Sequence, residues 1–327
     1  MLRVLDQVRE LRERVRAERG AIDFETVEAK PKLDERGMVT HVELRHKTEA
    51  TSMIEEAMIL ANETVARHAH SNHIPFVYRV HEPPKAAALE SLLIPLRELG
   101  YNVSELATGN PMAFQDVLDE ARGTREEPLV NHLVLRAMER AFYSTEPIGH
   151  FGLASTFYCH FTSPIRRYPD LVVHRVLKLQ LAYEQLGGKD ALVRTPRLIG
   201  KGRESLPRIL PQICRACSDA ERAADAASHA TQKIKIAQYY EDRLGERYAG
   251  TVSWVSSMGL FVRLGLTQVE GLISIKSLGN EWFEFDEDAL TLTGADTGTR
   301  YELGQRVIVE VSRVNTTRGH LDFKLIH

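Results

Sequence analysis

A chain of 327 residues has room for about two domains, and with 43% hydrophobic and 27% charged residues it has a globular composition, which excludes a disordered or collagen-like polymer. Three cysteines exclude a disulfide-rich secreted scaffold and fit a reducing cytoplasm. No run reaches the roughly 18 apolar residues of a membrane span, so the expectation is a cytoplasmic protein with no membrane partner. A net charge of −3 gives no global pull towards nucleic acid, and the residues from Gly245 onwards carry 8 basic and 11 acidic groups against 34 of each before them. Any nucleic-acid contact must come from local surfaces.

The chain opens with Leu2, Leu5, Val8, Leu11 and Val15 at spacings of three and four, an amphipathic helix closed by Gly20. This helix starts at residue 1 without an N-cap, so we expect a chain that begins inside a larger fold. Ala21 to Glu43, with Pro31 and the Arg36-Gly37 turn, reads as a short hairpin. A longer helix over Ser52 to Ala69 puts Ile54, Ala57, Met58, Ala61 and Val65 on one face. Pro75 to Val80 is a short strand stopped by Pro83 and Pro84, and helices follow over Leu89 to Leu99, Phe114 to Arg122 and Asn131 to Tyr143. Residues 149 to 161 are aromatic and extended. Ser163 and Pro164 then start a helix that Tyr168 and Pro169 break and restart, as far as Tyr183. An alanine-rich helix runs from Pro211 to Leu244. Beyond Gly245 the period becomes that of five short strands, a small OB-type barrel. The expected class is therefore α+β, divided into residues 1–243 and 244–327.

Several residues carry chemistry in this pattern. Arg166 and Arg167 stand in a helix's first turn, where guanidinium forks, free N–H groups and the dipole favour a phosphate; the alternative is a surface ion pair. Glu55 lies beside its helix's apolar face, as a ligand-binding carboxylate or as the closing member of a Ser52–Glu55 capping box. Phe24 is either core or a base-stacking platform. Cys214 and Cys217 form one CxxC without a second pair and read as structural; His150, His160 and His174 have no acidic neighbours at ligand spacing and read as hydrogen-bonding groups. The acidic run Glu284 to Asp288 reads as a solvated loop, and no Walker loop follows a strand. Phe261, with Trp254 and Tyr248, belongs to the barrel's outer face, where such barrels bind single strands, or else proteins.

The segments MIEEAMILAN, FVYRVHEPP, GHFGLAS and HFTSPIRRYPDLVVHR, in that order and followed by the barrel, resemble the C-terminal part of the ribonuclease II and ribonuclease R family over nearly the whole chain. The resemblance implies the later two thirds of the family's catalytic domain plus its terminal RNA-binding barrel. It also implies processive, Mg²⁺-dependent 3′-to-5′ hydrolysis of single-stranded RNA to nucleoside monophosphates. On this reading Arg166 stabilises the transition state at the scissile phosphate, Glu55 contacts the terminal ribose, Phe24 clamps bases, and Arg167, Phe261 and Trp254 touch RNA. The family's aspartate cluster, DxxxxxDxDD, would lie before residue 1, so the Mg²⁺ ligands are not expected in this chain. Ser274 stands where relatives often have a histidine, and no lysine-rich tail follows His327. Hydrolysis by the chain alone is expected to be lost or very weak. An N-terminal half polypeptide or self-association is the expected complement, and a non-catalytic RNA-binding or adaptor protein is the alternative.

Overall fold

The computed structural model describes residues 2–24, 28–124, 126–185, 187, 201–287 and 289–326. Helix α1 (Leu2–Glu18) lies along α2 (Glu49–Ser71), and its orientation corrects the reading of its pattern. Leu2, Leu11 and Val15 of its apolar stripe face outwards, Leu2 being 68% and Leu11 57% exposed, Leu5 and Val8 are half-buried, and Arg16 is 6% exposed. The reason is electrostatic. Helix α2 presents two buried carboxylates, and α1 turns its arginines towards them: Arg16 meets Glu56 at 2.9 Å, while Arg12 and Arg19 meet Glu63 at 2.7 and 2.9 Å. An unpaired carboxylate buried against a valine face would cost several kcal/mol, more than the ~2 kcal/mol from burying one apolar side chain.

The predicted hairpin is present as β1 (Glu28–Leu33) and β2 (Val39–Arg45), and Asp34 accepts the N–H groups of Arg36 and Met38 across its turn. β3 (Tyr78–Val80) pairs antiparallel with β4 (Phe142–Ser144). That pairing corrects the helix expected over Asn131 to Tyr143. Helix α5 (Glu127–Ala137) stops at an extended Met138, and the aromatic residues beyond it join the small sheet. Helices α3 (Ala86–Glu98) and α4 (Pro111–Ala121) pack with α5 around Leu96, Leu106, Phe114 and Val130, one apolar core. A second core gathers Phe76, Val80, Cys159, Val173 and Leu210 between α2, the β3–β4 pair, α6 (Tyr168–Gln185) and α7 (Lys201–Glu241). The segment from Ser163 is a single turn, not a first helix; α6 begins at Tyr168.

Helix α7 has 41 residues, more than the sequence reading gave it, because Pro207 and Pro211 lie within it instead of opening it. Residues 222–233 are exposed all round. Alanine and the charged residues there sustain a helix in water by propensity alone. Its C-terminal turns carry Tyr240 into the barrel core, with Ile236 and Tyr239 packed against it, and Lys235 donates to the Gly37 carbonyl at 2.7 Å, bracing the hairpin.

The barrel closes in the order β11-β12-β7-β6-β5, with β5 (Arg247–Ser256), β6 (Gly259–Leu264), β7 (Glu270–Ser274), β11 (Arg306–Asn315) and β12 (His320–Ile326). Parallel pairing of β12 with β7 completes it. Gly259 is obligatory at the β5–β6 turn: its φ is +135°, and a Cβ would stand 2.0 Å from the Ile273 carbonyl oxygen. Between β7 and β11 lies a three-stranded sheet, β8 (Phe283–Asp286), β9 (Thr291–Gly294) and β10 (Arg300–Tyr301). The acidic run is thus largely strand. Phe283 and Phe285 alternate inwards with Glu284 and Asp286 outwards; Asp288 lies outside the described residues. The molecule is α+β, as expected.

Candidate nucleic-acid site

The turn that carries the two arginines is held from beneath by Asp170, which is 0% exposed. Its carboxylate accepts the Ser163 N–H at 2.8 Å and Arg167 Nη2 at 2.9 Å, and its second oxygen stands 2.9 Å from Arg167 Nε. The Ser163 carbonyl accepts the Arg167 N–H at 3.0 Å, closing the turn. Arg167 is thereby fixed as a fork, while the Arg166 side chain is exposed and has no hydrogen bond or ion pair among the described residues. Ile165 and Tyr168 flank it, both exposed.

Asn62 of α2 ties this region to the preceding aromatic segment. Its Oδ1 accepts the Phe161 N–H at 3.0 Å, its Nδ2 donates to the Tyr158 hydroxyl at 3.0 Å, and its carbonyl accepts the Cys159 thiol. Between them opens a cavity of about 670 Å³ whose walls include Glu55, Met58, Asn62, Leu153, Tyr158 and Arg167. Glu55 and Arg167, 112 positions apart in the chain, therefore share one cavity; Arg166 stands on the turn beside it but does not line it.

Glu55 is free for this cavity because the helix is capped elsewhere. Thr48 is the N-cap, and its reciprocal partner is Thr51, whose hydroxyl accepts the Thr48 N–H at 2.8 Å; Ser52 and Glu55 form no capping box. Glu55 instead accepts an ion pair from Lys47 at 3.0 Å. Burial depresses the Lys47 ammonium, but the Glu55 and Asp23 carboxylates outweigh it and leave the ammonium held above its ordinary value. Phe24 is half-buried against the α3–α5 core and lines a separate cavity of about 560 Å³ with Arg16, Lys47 and Gln115. The structure does not bring Phe24 into the Glu55 cavity; Lys47 links the two.

The three histidines are packed groups. His160 Nδ1 lies 2.9 Å from the Tyr143 hydroxyl, His174 Nε2 lies 2.9 Å from the Phe161 carbonyl, and His150 sits edge-on to Tyr158. Burial, reinforced by Arg167 and Arg79, pushes His160 down to about 2, and burial beside His81 pushes His150 down to about 3. Both rings are neutral at any physiological pH. Cys214 is buried and its thiol is pushed up to about 12 by burial.

On the barrel, a bulge between Val252 and Trp254 turns the indole outwards, where it pairs in register with Phe261. Phe261 keeps a half-exposed ring. Trp254 is half-buried too, but the Arg136 guanidinium lies 4.2 Å from its ring centroid and His132 packs at 5.6 Å, so this side chain docks the barrel on α5.

The carboxylates around the two cavities are committed to cations: Asp170 to Arg167, Glu55 to Lys47, Glu56 to Arg16, Glu63 to Arg12 and Arg19. Among the described residues no three His, Cys, Asp or Glu side chains form a group able to hold a metal ion. This donor set does not fit a magnesium cage. Sequence reasoning missed Lys47, Asn62 and Asp170. Only Asp170 left a local signal, three positions after Arg167, the spacing of a helical ion pair.

The RNB domain model matches residues 1–183, and the S1 RNA binding domain model matches residues 241–325. The chain belongs to the RNB family. It is 39% identical to Ribonuclease R of Aquifex aeolicus over 325 residues, covering 99% of this chain and 44% of that protein. It is 37% identical to Ribonuclease R of Escherichia coli over 329 residues, covering 100% of this chain and 38% of that one. Mycoplasma genitalium RNase R in complex with ribose methylated single-stranded RNA superposes with a TM-score of 0.89 at 28% identity, covering 99% of this chain and 49% of that chain. The chain thus spans less than half the length of these relatives. No helix among the described residues is long and apolar enough to cross a membrane.

Proposed function

We propose that this chain forms the later part of an RNase R-like 3′-to-5′ exoribonuclease, with residues 1–243 as the catalytic portion and 244–327 as the RNA-binding barrel. The observation that carries the proposal is the arginine turn pinned by Asp170 beside a cavity shared with Glu55. Arg166, free and exposed, holds a backbone phosphate and stabilises charge as it develops there. Arg167, fixed by Asp170, keeps that turn in place and presents its remaining N–H groups to the cavity. Glu55 accepts a hydrogen bond from a ribose 2′-OH, which selects RNA over DNA. Lys47, 3.0 Å away, holds the Glu55 carboxylate in place. The half-exposed face of Phe261 gives a base a platform on the barrel.

Mg²⁺-dependent cleavage belongs to carboxylates outside the described donor set. On its own the chain binds single-stranded RNA and hydrolyses it weakly or not at all. Fluorescence anisotropy with a 3′-labelled single-stranded RNA tests the grip: Arg166→Ala weakens binding and lowers the salt slope by about 0.7, one phosphate's share on a single strand. Incubating the pure chain with RNA and Mg²⁺ tests the rest; a ladder of 3′-trimmed products would overturn the claim of inactivity. Should Phe261→Ala abolish binding while Arg166→Ala leaves it intact, the chain is a barrel-based RNA-binding adaptor instead.

A further inference from the structure

The barrel face that meets α5 carries a row of side chains set by strand pairing. Arg306 of β11 stands opposite Thr251 of β5, and Thr251 stands opposite Arg263 of β6. Directly paired residues point to the same face of a sheet, and strands lie about 4.8 Å apart, so two guanidinium groups flank one hydroxyl across roughly 10 Å. Neither arginine is neutralised closely. The Arg306 side chain has no hydrogen bond or ion pair among the described residues, and Arg263 reaches Glu270 only at 3.8 Å, beyond hydrogen-bonding range.

This row forms one wall of a cavity of about 290 Å³ between barrel and helices; the other wall is the first turns of α5, with Glu127 and His132. Glu127 also lines this wall: its carboxylate accepts the Gly123 N–H at 2.8 Å and, among the described residues, forms no ion pair with either arginine. Burial, with Arg263 nearby, holds His132 below its ordinary value, so its ring is neutral and keeps one N–H to donate. Arg306 without a side-chain partner, Arg263 with one long ion pair, the Thr251 hydroxyl and an imidazole N–H converge on a partly closed space. Such a set is complementary to a dianionic oxygen cluster. The volume lies at the lower end of the ~300 to 1,000 Å³ range of small-ligand pockets, which suits one nucleotide and not a stacked run of them. None of these residues lines the Glu55 cavity.

We propose that the barrel–helix joint binds a phosphate group on a ligand of mononucleotide size, through Arg263, Arg306 and Thr251 from the barrel and His132 from α5. Bound there, the ligand bridges the two walls and ties the barrel to the helices alongside the Trp254 contact. The phosphate comes either from a free mononucleotide or from the phosphorylated end of an RNA. The inference stands apart from the nuclease reading, because it concerns a separate cavity and is read out by binding alone.

Isothermal titration calorimetry on the full chain with AMP, inorganic phosphate and adenosine tests it, with Arg263→Gln, Arg306→Gln and the double variant in parallel. AMP and phosphate bind and adenosine does not; each glutamine variant weakens AMP about tenfold, the size of one lost charge-assisted hydrogen bond. AMP raises the thermal midpoint of the unmodified chain and leaves that of the double variant where it was. Circular dichroism melts without ligand check that the variants fold. A parallel titration with 5′-phosphorylated and 5′-hydroxyl single-stranded RNA tells the sources apart: sensitivity of the phosphorylated strand alone to the arginine variants places a strand end in the site. Adenosine binding as tightly as AMP, AMP affinity within twofold in the double variant, or the absence of any AMP or phosphate binding would each overturn the proposal.

Discussion

At the scale of single residues, the contrast between the two adjacent arginines is the most informative. Arg167 shares a fully buried carboxylate with the turn's own backbone, whereas the Arg166 guanidinium is bound to nothing among the described residues. Replacing Asp170 by Asn removes the charge that answers Arg167 and should lower stability by about 3 kcal/mol, the usual cost of breaking a buried pair; a urea titration reads it. Arg166→Ala should leave the same titration unchanged while it weakens RNA. His160 makes a pH prediction whose sign is fixed by burial. Its folded-state pKa is about 2 against roughly 6.5 in the unfolded chain, so between those values only the unfolded chain binds the proton. Stability is then fully present above pH ~6.5 and falls as the pH is lowered through that window. Thermal midpoints across pH should show the fall, and His160→Gln should flatten it. From sequence, the arginine pair was legible as one of two readings from its place in a first turn, whereas Glu55, whose spacing fits a capping box, was singled out by the family resemblance. That Asn62 and Lys47 organise the cavity was not legible, since their partners lie elsewhere in the chain.

At the scale of elements, periodicity found most of the helices and strands and misjudged one face. The hairpin, α2 and the barrel follow from patterns of three to four or of two, which their own residues set. The facing of α1 depends on Glu56 and Glu63, carboxylates some 40 residues away, and no window on α1 contains them. The inverted helix yields a test in which the polar change outweighs the apolar one. Leu11→Gln should shift stability by less than about 0.5 kcal/mol, as exposed sites do, and Arg16→Ala should cost about 3 kcal/mol by stranding Glu56; paired chemical denaturation curves check both. The same limit explains β4 and β8. Phe142 to Ser144 continue a helical pattern until β3 is there to pair with, and Glu284 and Asp286 look solvated because they are, on the outer side of a strand whose phenylalanines are not.

At the scale of the whole molecule, three connections among the described residues join the barrel to the helices, one of them Leu290, which is buried in the α3–α5 core with Phe285 and Leu303 packed against it. Helix α7 enters the barrel core through Tyr240, and Trp254 is gripped by Arg136 and His132. Trp254→Ala should therefore loosen the joint without unfolding either part, and small-angle scattering should record a larger radius of gyration while the far-ultraviolet dichroism stays constant.

Along residues 222–233 the spine of α7 stands clear of both cores. Twelve residues at a rise of about 1.5 Å each make a rod of roughly 18 Å, held only by its own backbone ladder. Its amides should open with a free energy far below that of either end. Deuterium should accordingly enter the centre of this helix before its ends, reversing the usual order in which helices fray from their tips.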